Sequence, residues 1–96
     1  MLEVFVIYDS AGQYYQHPFV AINKGVALRE FSDACNNKDT FLAKHPADYT
    51  LFHLGSFSES DGRFELFPTP MSLGVAQEYV RNVVQPKAEF VKDDVN

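Results

Sequence analysis

Tyr49-Thr50-Leu51-Phe52-His53-Leu54-Gly55-Ser56-Phe57 is a run of aromatic, β-branched and aliphatic residues, and Arg63-Phe64-Glu65-Leu66-Phe67 resumes it after Ser58-Glu59-Ser60-Asp61-Gly62. Such side chains favour the pleated, half-buried surface of a sheet, and Asp-Gly between two such runs signals a tight reversal. The stretch is therefore a β-hairpin. Pro68-Thr69-Pro70 follows at once, and two residues without a backbone N–H are expected to end the second strand near Phe67.

The same grammar occurs upstream. Leu2 to Tyr8 reads as a strand, Asp9-Ser10-Ala11-Gly12 as a turn, and Gln13 to Ile22 as a second extended run, with Pro18 placing it at a sheet edge or ending it near His17. From Asn23 the apolar period lengthens, and Val26, Ala27, Phe31, Ala34 and Cys35 share one helical stripe, with Asn23 as its cap and Asn36-Asn37 as its stop. Lys38 to Asp48 reads as a connection, since His45-Pro46 disfavours helix. Beyond Pro70 a short C-terminal helix opens at Ser72, with Leu73, Ala76, Val80 and Val83 on one face. The fold class is α+β: a small antiparallel sheet of two β-hairpins, an intervening amphipathic helix and this short C-terminal helix. Residues 1–86 form one domain, and the charge-rich residues 87–96 are expected to fray.

The composition of this 96-residue chain, 46% hydrophobic and 22% charged, suits one globular domain with a modest core. A net charge of −5 gives no general attraction to phosphate backbones or anionic membranes. A single cysteine, Cys35, excludes an intrachain disulfide framework and a Cys-rich zinc site, and fits a reducing compartment. No apolar run approaches the ~20 residues of a membrane span, and Met1-Leu2-Glu3 lacks the basic start of a secretion signal, so a cytoplasmic protein is expected.

No pattern of catalysis emerges. His17, His45 and His53 lack the spacing that would place two on one helical face, so no metal is expected. Cys35 falls on the apolar stripe with no neighbouring base and reads as core. Asp9, Asp48 and Asp61 suit turns, and the five glycines are scattered rather than gathered into a phosphate loop. The expectation is a protein that is not an enzyme and needs no cofactor. Nine Phe and five Tyr are the unusual feature. Rings on a sheet face can stack nucleobases, and Lys24, Arg29, Lys38 and Lys44 concentrate half of the basic residues in the helix and its following loop. Tyr14, Tyr15, Lys24, Arg29, Lys38 and Lys44 are thus the candidate nucleic-acid contacts. Against them, Glu30, Asp33 and Asp39 intersperse the cations, as on a solvated mixed-charge surface.

Several segments together carry a resemblance: Tyr8-Asp9-Ser10, Pro18-Phe19-Val20-Ala21, Gly25 to Phe31, Lys44-His45-Pro46-Ala47-Asp48-Tyr49-Thr50-Leu51, Leu54-Gly55-Ser56-Phe57 and Pro68-Thr69-Pro70. In this order and spacing the chain resembles the small non-structural protein of gokushovirus-type microviruses, icosahedral phages with circular single-stranded DNA. The run from Lys44 to Tyr49 with the following Leu54-Gly55 is its most specific part. The resemblance implies a protein outside the virion, in the cytoplasm of the infected bacterium, with a part in viral DNA replication at the switch toward single-strand synthesis and packaging. It brings no catalytic motif to any numbered position.

The expectation is accordingly a non-enzymatic phage accessory protein that binds single-stranded DNA or the replication machinery, as a homodimer completed at the sheet edge or around Leu73, Val80 and Val83. The alternative is a host-directed module that modulates a bacterial protein without touching nucleic acid, and a small enzyme is a third reading. The feature that separates the first two is whether the four cations gather beside exposed aromatic rings.

Overall fold

The structure is a computed structural model that describes residues 1–81. It has the expected α+β class, a five-stranded antiparallel sheet with one main helix. β1 (Leu2–Asp9) runs through the middle. On one side it pairs with both β2 (Tyr14–Tyr15) and β3 (Phe19–Ala21), and on the other with β4 (Tyr49–Phe57), which in turn pairs with β5 (Phe64–Val75).

The turn after β1 is held by Asp9, whose Oδ1 accepts from the backbone N–H groups of Ala11 and Gly12. The single strand expected over Gln13 to Ile22 is split in two: Tyr15 pairs with Tyr8 and Phe19 with Phe5, and after Gln16, whose N–H still donates to the Ile7 carbonyl, the pairing is interrupted at His17 and Pro18. Proline has no N–H to give, so pairing breaks at it.

Helix α1 (Lys24–Cys35) starts as expected, with the Asn23 side chain accepting from Val26 N–H at 2.9 Å. It lays Ala27, Phe31 and Cys35 on Phe5, Ala21, Leu51 and Tyr49 of the sheet. At its other end Asn36 does more than stop the helix. Its Nδ2 donates to the carbonyls of Ser32 and Tyr79, and its Oδ1 accepts from Arg81 N–H, which ties α1 to the last described segment.

The connection after α1 is structured: Thr40 caps a single turn α2 (Phe41–Lys44), and Pro46–Asp48 forms a 3-10 turn that leads into β4. Leu42 packs against the core, which explains the added turn.

β5 departs further from the expectation. It does not end at Phe67 but runs twelve residues, through Pro68 and Pro70, to Val75. The register explains how. Gly55 of β4 faces Leu66 and His53 faces Met71, so the four residues from Phe67 to Pro70 bulge out opposite Leu54 and neither proline has to donate to β4. β5 is also the outer strand, where proline is tolerated because no further strand awaits its N–H. The expected helix from Ser72 is correspondingly displaced. Ser72 to Val75 is strand, and Ala76–Tyr79 makes only a 3-10 turn. Ala76 and Leu73 still enter the core, but Val80 is exposed, and Val83, the domain boundary at 86 and the tail 87–96 lie outside the described residues.

Candidate functional site

The helical layer covers one face of the sheet. Strand alternation assigns Glu3, Phe5, Ile7 and Asp9 of β1 to that face, together with Tyr49, Leu51 and His53 of β4. The remaining residues of β1, Leu2, Val4, Val6 and Tyr8, point to the other side. Val4 and Val6 are buried yet do not belong to the core cluster under the helix. They are screened instead by their neighbours on a second apolar face.

Register gives the rest of that face. Leu2 lies beside Phe57 and then Phe64; Val4 beside Val20 on one side and Gly55 and then Leu66 on the other; Val6 beside Phe52 and then Ser72; Tyr8 beside Tyr15 and Thr50. No paired position on it carries a charge. The charged strand residues in register, Glu3, Asp9 and Glu65, fall on the helical side, Glu65 through its pairing with Ser56 opposite Glu3. An antiparallel sheet with one covered face normally turns polar residues outward on the other, and here that alternation is missing. Tyr15, Val20, Phe64 and Leu66 are 53%, 47%, 57% and 62% exposed, and no described element packs over them.

Aromatic rings concentrate at both ends of this face. Tyr8 and Tyr15 are 4.7 Å apart between centroids and Phe52 meets Tyr15 edge-on at 6.1 Å, while Phe57 and Phe64 lie 4.9 Å apart at the other end. The two candidate tyrosines are therefore divided. Tyr15 belongs to the open face, whereas Tyr14 pairs with Asp9 and belongs to the helical side. Lys24 and Arg29 on α1, Lys44 on α2 and Lys38 between the helices are all exposed, but all are in the helical layer. The four cations are not beside the open-face rings. Lys44 sits 6.0 Å from the centroid of Phe41, itself 69% exposed.

His53 occupies a built environment on the helical side. Its Nε2 donates to Glu3 Oε1 at 2.9 Å and to the Gly55 carbonyl at 3.1 Å, its ring stacks on Phe5 at 4.7 Å, and Phe67 meets it edge-on at 4.8 Å. With Phe19 on the far side of Phe5, these rings form a row across four strands. The row lies beside the bulge at Leu54. Cys35 is buried, and burial pushes its thiol from the ordinary 9.0 up to about 11, the opposite of what a reactive thiolate requires. Among the described residues no three His, Cys, Asp or Glu side chains converge on a metal-sized site, no pocket forms, and no helix is long and apolar enough to cross a membrane.

A family model described as phage ORF5 protein matches residues 2–79. The chain belongs to the phage ORF5 protein family. The match spans every described strand and helix, so the uncharged sheet face, α1 and the proline-bearing β5 all lie within what defines this phage protein. No curated protein and no solved structure matches the chain.

The open face of this phage ORF5 protein was not assembled from the sequence, although a signal existed. Reading each strand for both of its faces shows Leu2, Val4, Val6 and Tyr8, and again Phe57, Phe64 and Leu66, without a charge among them. Residue type by itself points to the rings and the cations instead.

Proposed function

We propose that this phage ORF5 protein is the small non-structural protein of a gokushovirus-type microvirus, a non-enzymatic accessory of viral DNA replication in the host bacterial cytoplasm, and that it acts through protein contacts. The order and spacing of the segments from Tyr8 to Pro70 support the viral assignment. One observation carries the mode of action: the open sheet face is apolar and uncharged, while the cations expected beside it are in the helical layer. A surface of that kind gains by excluding water against another protein, and offers nothing to a phosphate backbone.

Capture of the full chain from infected cells, with and without nuclease, tests this. Replication proteins of the phage or host should remain bound after nuclease digestion. Loss of every partner on digestion would remove the reading. Retention of one bacterial protein with no effect on viral DNA synthesis would instead favour a host-directed module.

A second reading, direct binding of single-stranded DNA, is supported by the Tyr8, Tyr15 and Phe52 cluster, since exposed rings stack bases at ~1–3 kcal/mol each whatever the sequence. Fluorescence anisotropy with single- and double-stranded oligonucleotides at low salt separates the two readings.

A further inference from the structure

We propose that the open face of the sheet packs against the same face of a second copy of this chain, forming a two-layered sandwich of sheets with a helical layer on each outer side. The proposal rests on the reading that this face takes protein, and names the protein.

Charge is the first argument. The chain carries −5 overall, so two copies repel unless they meet where charge is absent. The open face is such a place, because every paired position on it is apolar or neutral and the charged strand residues Glu3, Asp9 and Glu65 face the helical side. A two-fold interface sets the patch against its own copy, and a surface without charges accepts that with no ion left buried and unpaired.

Area is the second. β1 is eight residues long, about 26 Å, and the sheet is four strand positions wide, about 19 Å at the usual strand spacing. That is a flat area of ~500 Å² per copy, so two copies remove at least ~1,000 Å² from water once side-chain relief is added, enough for a specific interface. Sheets pack face to face about 10 Å apart, and the exposed Val20 and Leu66 stand where such a layer would interdigitate.

Other occupants fit less well. Residues 82–96 bring Lys87, Glu89, Lys92, Asp93 and Asp94, which would set charges on a face that has none. Edge pairing along β5 meets Pro68 and Pro70, which cannot donate to an incoming strand. The dimer therefore uses the face and leaves Lys24, Arg29, Lys38 and Lys44 on its outer layers.

Sedimentation equilibrium of the full chain tests this. A dimer with micromolar or tighter dissociation is expected. Leu66→Glu and Val20→Glu, both at exposed positions where circular dichroism should show an unchanged fold, each weaken it at least ~30-fold by burying an unpaired carboxylate. Phe41→Glu, on an equally exposed ring in the helical layer, leaves it unchanged. A monomer up to ~100 µM overturns the proposal. A dimer indifferent to Leu66→Glu and Val20→Glu overturns it too. If nuclease-resistant capture of replication proteins persists with a strict monomer, the dimer falls and the protein-contact reading stands.

Discussion

Gly55 shows how one residue settles the path of two strands. Its φ is +151°, which side-chain-bearing residues rarely adopt, and a Cβ built there would lie 2.1 Å from the Glu65 carbonyl oxygen. β5 can cross close to β4 only because that atom is missing, and the bulge that absorbs Pro68 and Pro70 begins at this crossing. Gly55→Ala should therefore destabilise the protein by about 3–4 kcal/mol in urea unfolding, a large share of what so small a domain possesses. A loss below ~1 kcal/mol would mean that β5 is free to move away.

Burial of Cys35 makes stability depend on pH in the alkaline range. With the folded thiol at about 11 and the ordinary value at 9.0, the unfolded chain loses its proton first as pH rises. The contribution to stability is complete below pH 9 and falls between pH 9 and about 11, by at most about 1.4 kcal/mol per unit. Tyr49 and Tyr79, also raised chiefly by burial, add to the decline at higher pH. Cys35→Ala should flatten the slope between pH 9 and 10, and iodoacetamide should modify the native wild type at least ~100-fold more slowly than the unfolded chain. Equal rates would place the thiol at the surface.

Between elements, α1 and the segment after β5 are joined by polar contacts that residue type alone does not announce. Asn36 reads as a helix stop, and it is one, but its amide also spans to Tyr79 and Arg81, while the Tyr79 hydroxyl donates to the Leu73 carbonyl and its ring meets Phe31 edge-on at 5.2 Å. Asn36→Ala leaves those backbone groups short of partners and should cost about 1–3 kcal/mol. Hydrogen exchange should quicken at Arg81 N–H more than within β1. Uniform quickening would show that Asn36 serves the helix end alone.

β5 teaches the converse lesson about elements. Pro68-Thr69-Pro70 is a sound stop signal for a strand that must pair on both sides, and it fails here because β5 is outermost and bulged where the prolines lie. Pro18 between β2 and β3 obeys the same rule: Gln16, His17 and Pro18 stand opposite only Val6 and Ile7, and the ladder is interrupted across that extra residue.

For the molecule as a whole, the two candidate associations of the open face exclude one another. Bases can stack on Tyr8, Tyr15 and Phe52 only while that face is free, and the dimer would cover it. If single strands bind at all, raising protein concentration should therefore weaken binding per chain, and Leu66→Glu, which opens the dimer, should strengthen it. The salt slope should be shallow, equivalent to no more than roughly two to four phosphate contacts, because Lys24, Arg29, Lys38 and Lys44 lie in the other layer. Anisotropy titrations at two protein concentrations check both statements, and a steep slope would show that the helical layer is the nucleic-acid surface.

Local chemistry alone determined the hairpins, the capped helix from Asn23, the burial of Cys35 and the α+β class, because each depends on side-chain period and turn residues within about a dozen positions. Phage membership was legible too, in the order of short segments that the family match spans. Tertiary structure alone decided which face of the sheet α1 would cover and how β5 passes its prolines. It also separated the cations from the open-face rings. Alternation divides a strand into two faces but does not say which one meets the helix, and when both are apolar only the long-range packing of Phe31, Cys35 and Ala76 makes that choice.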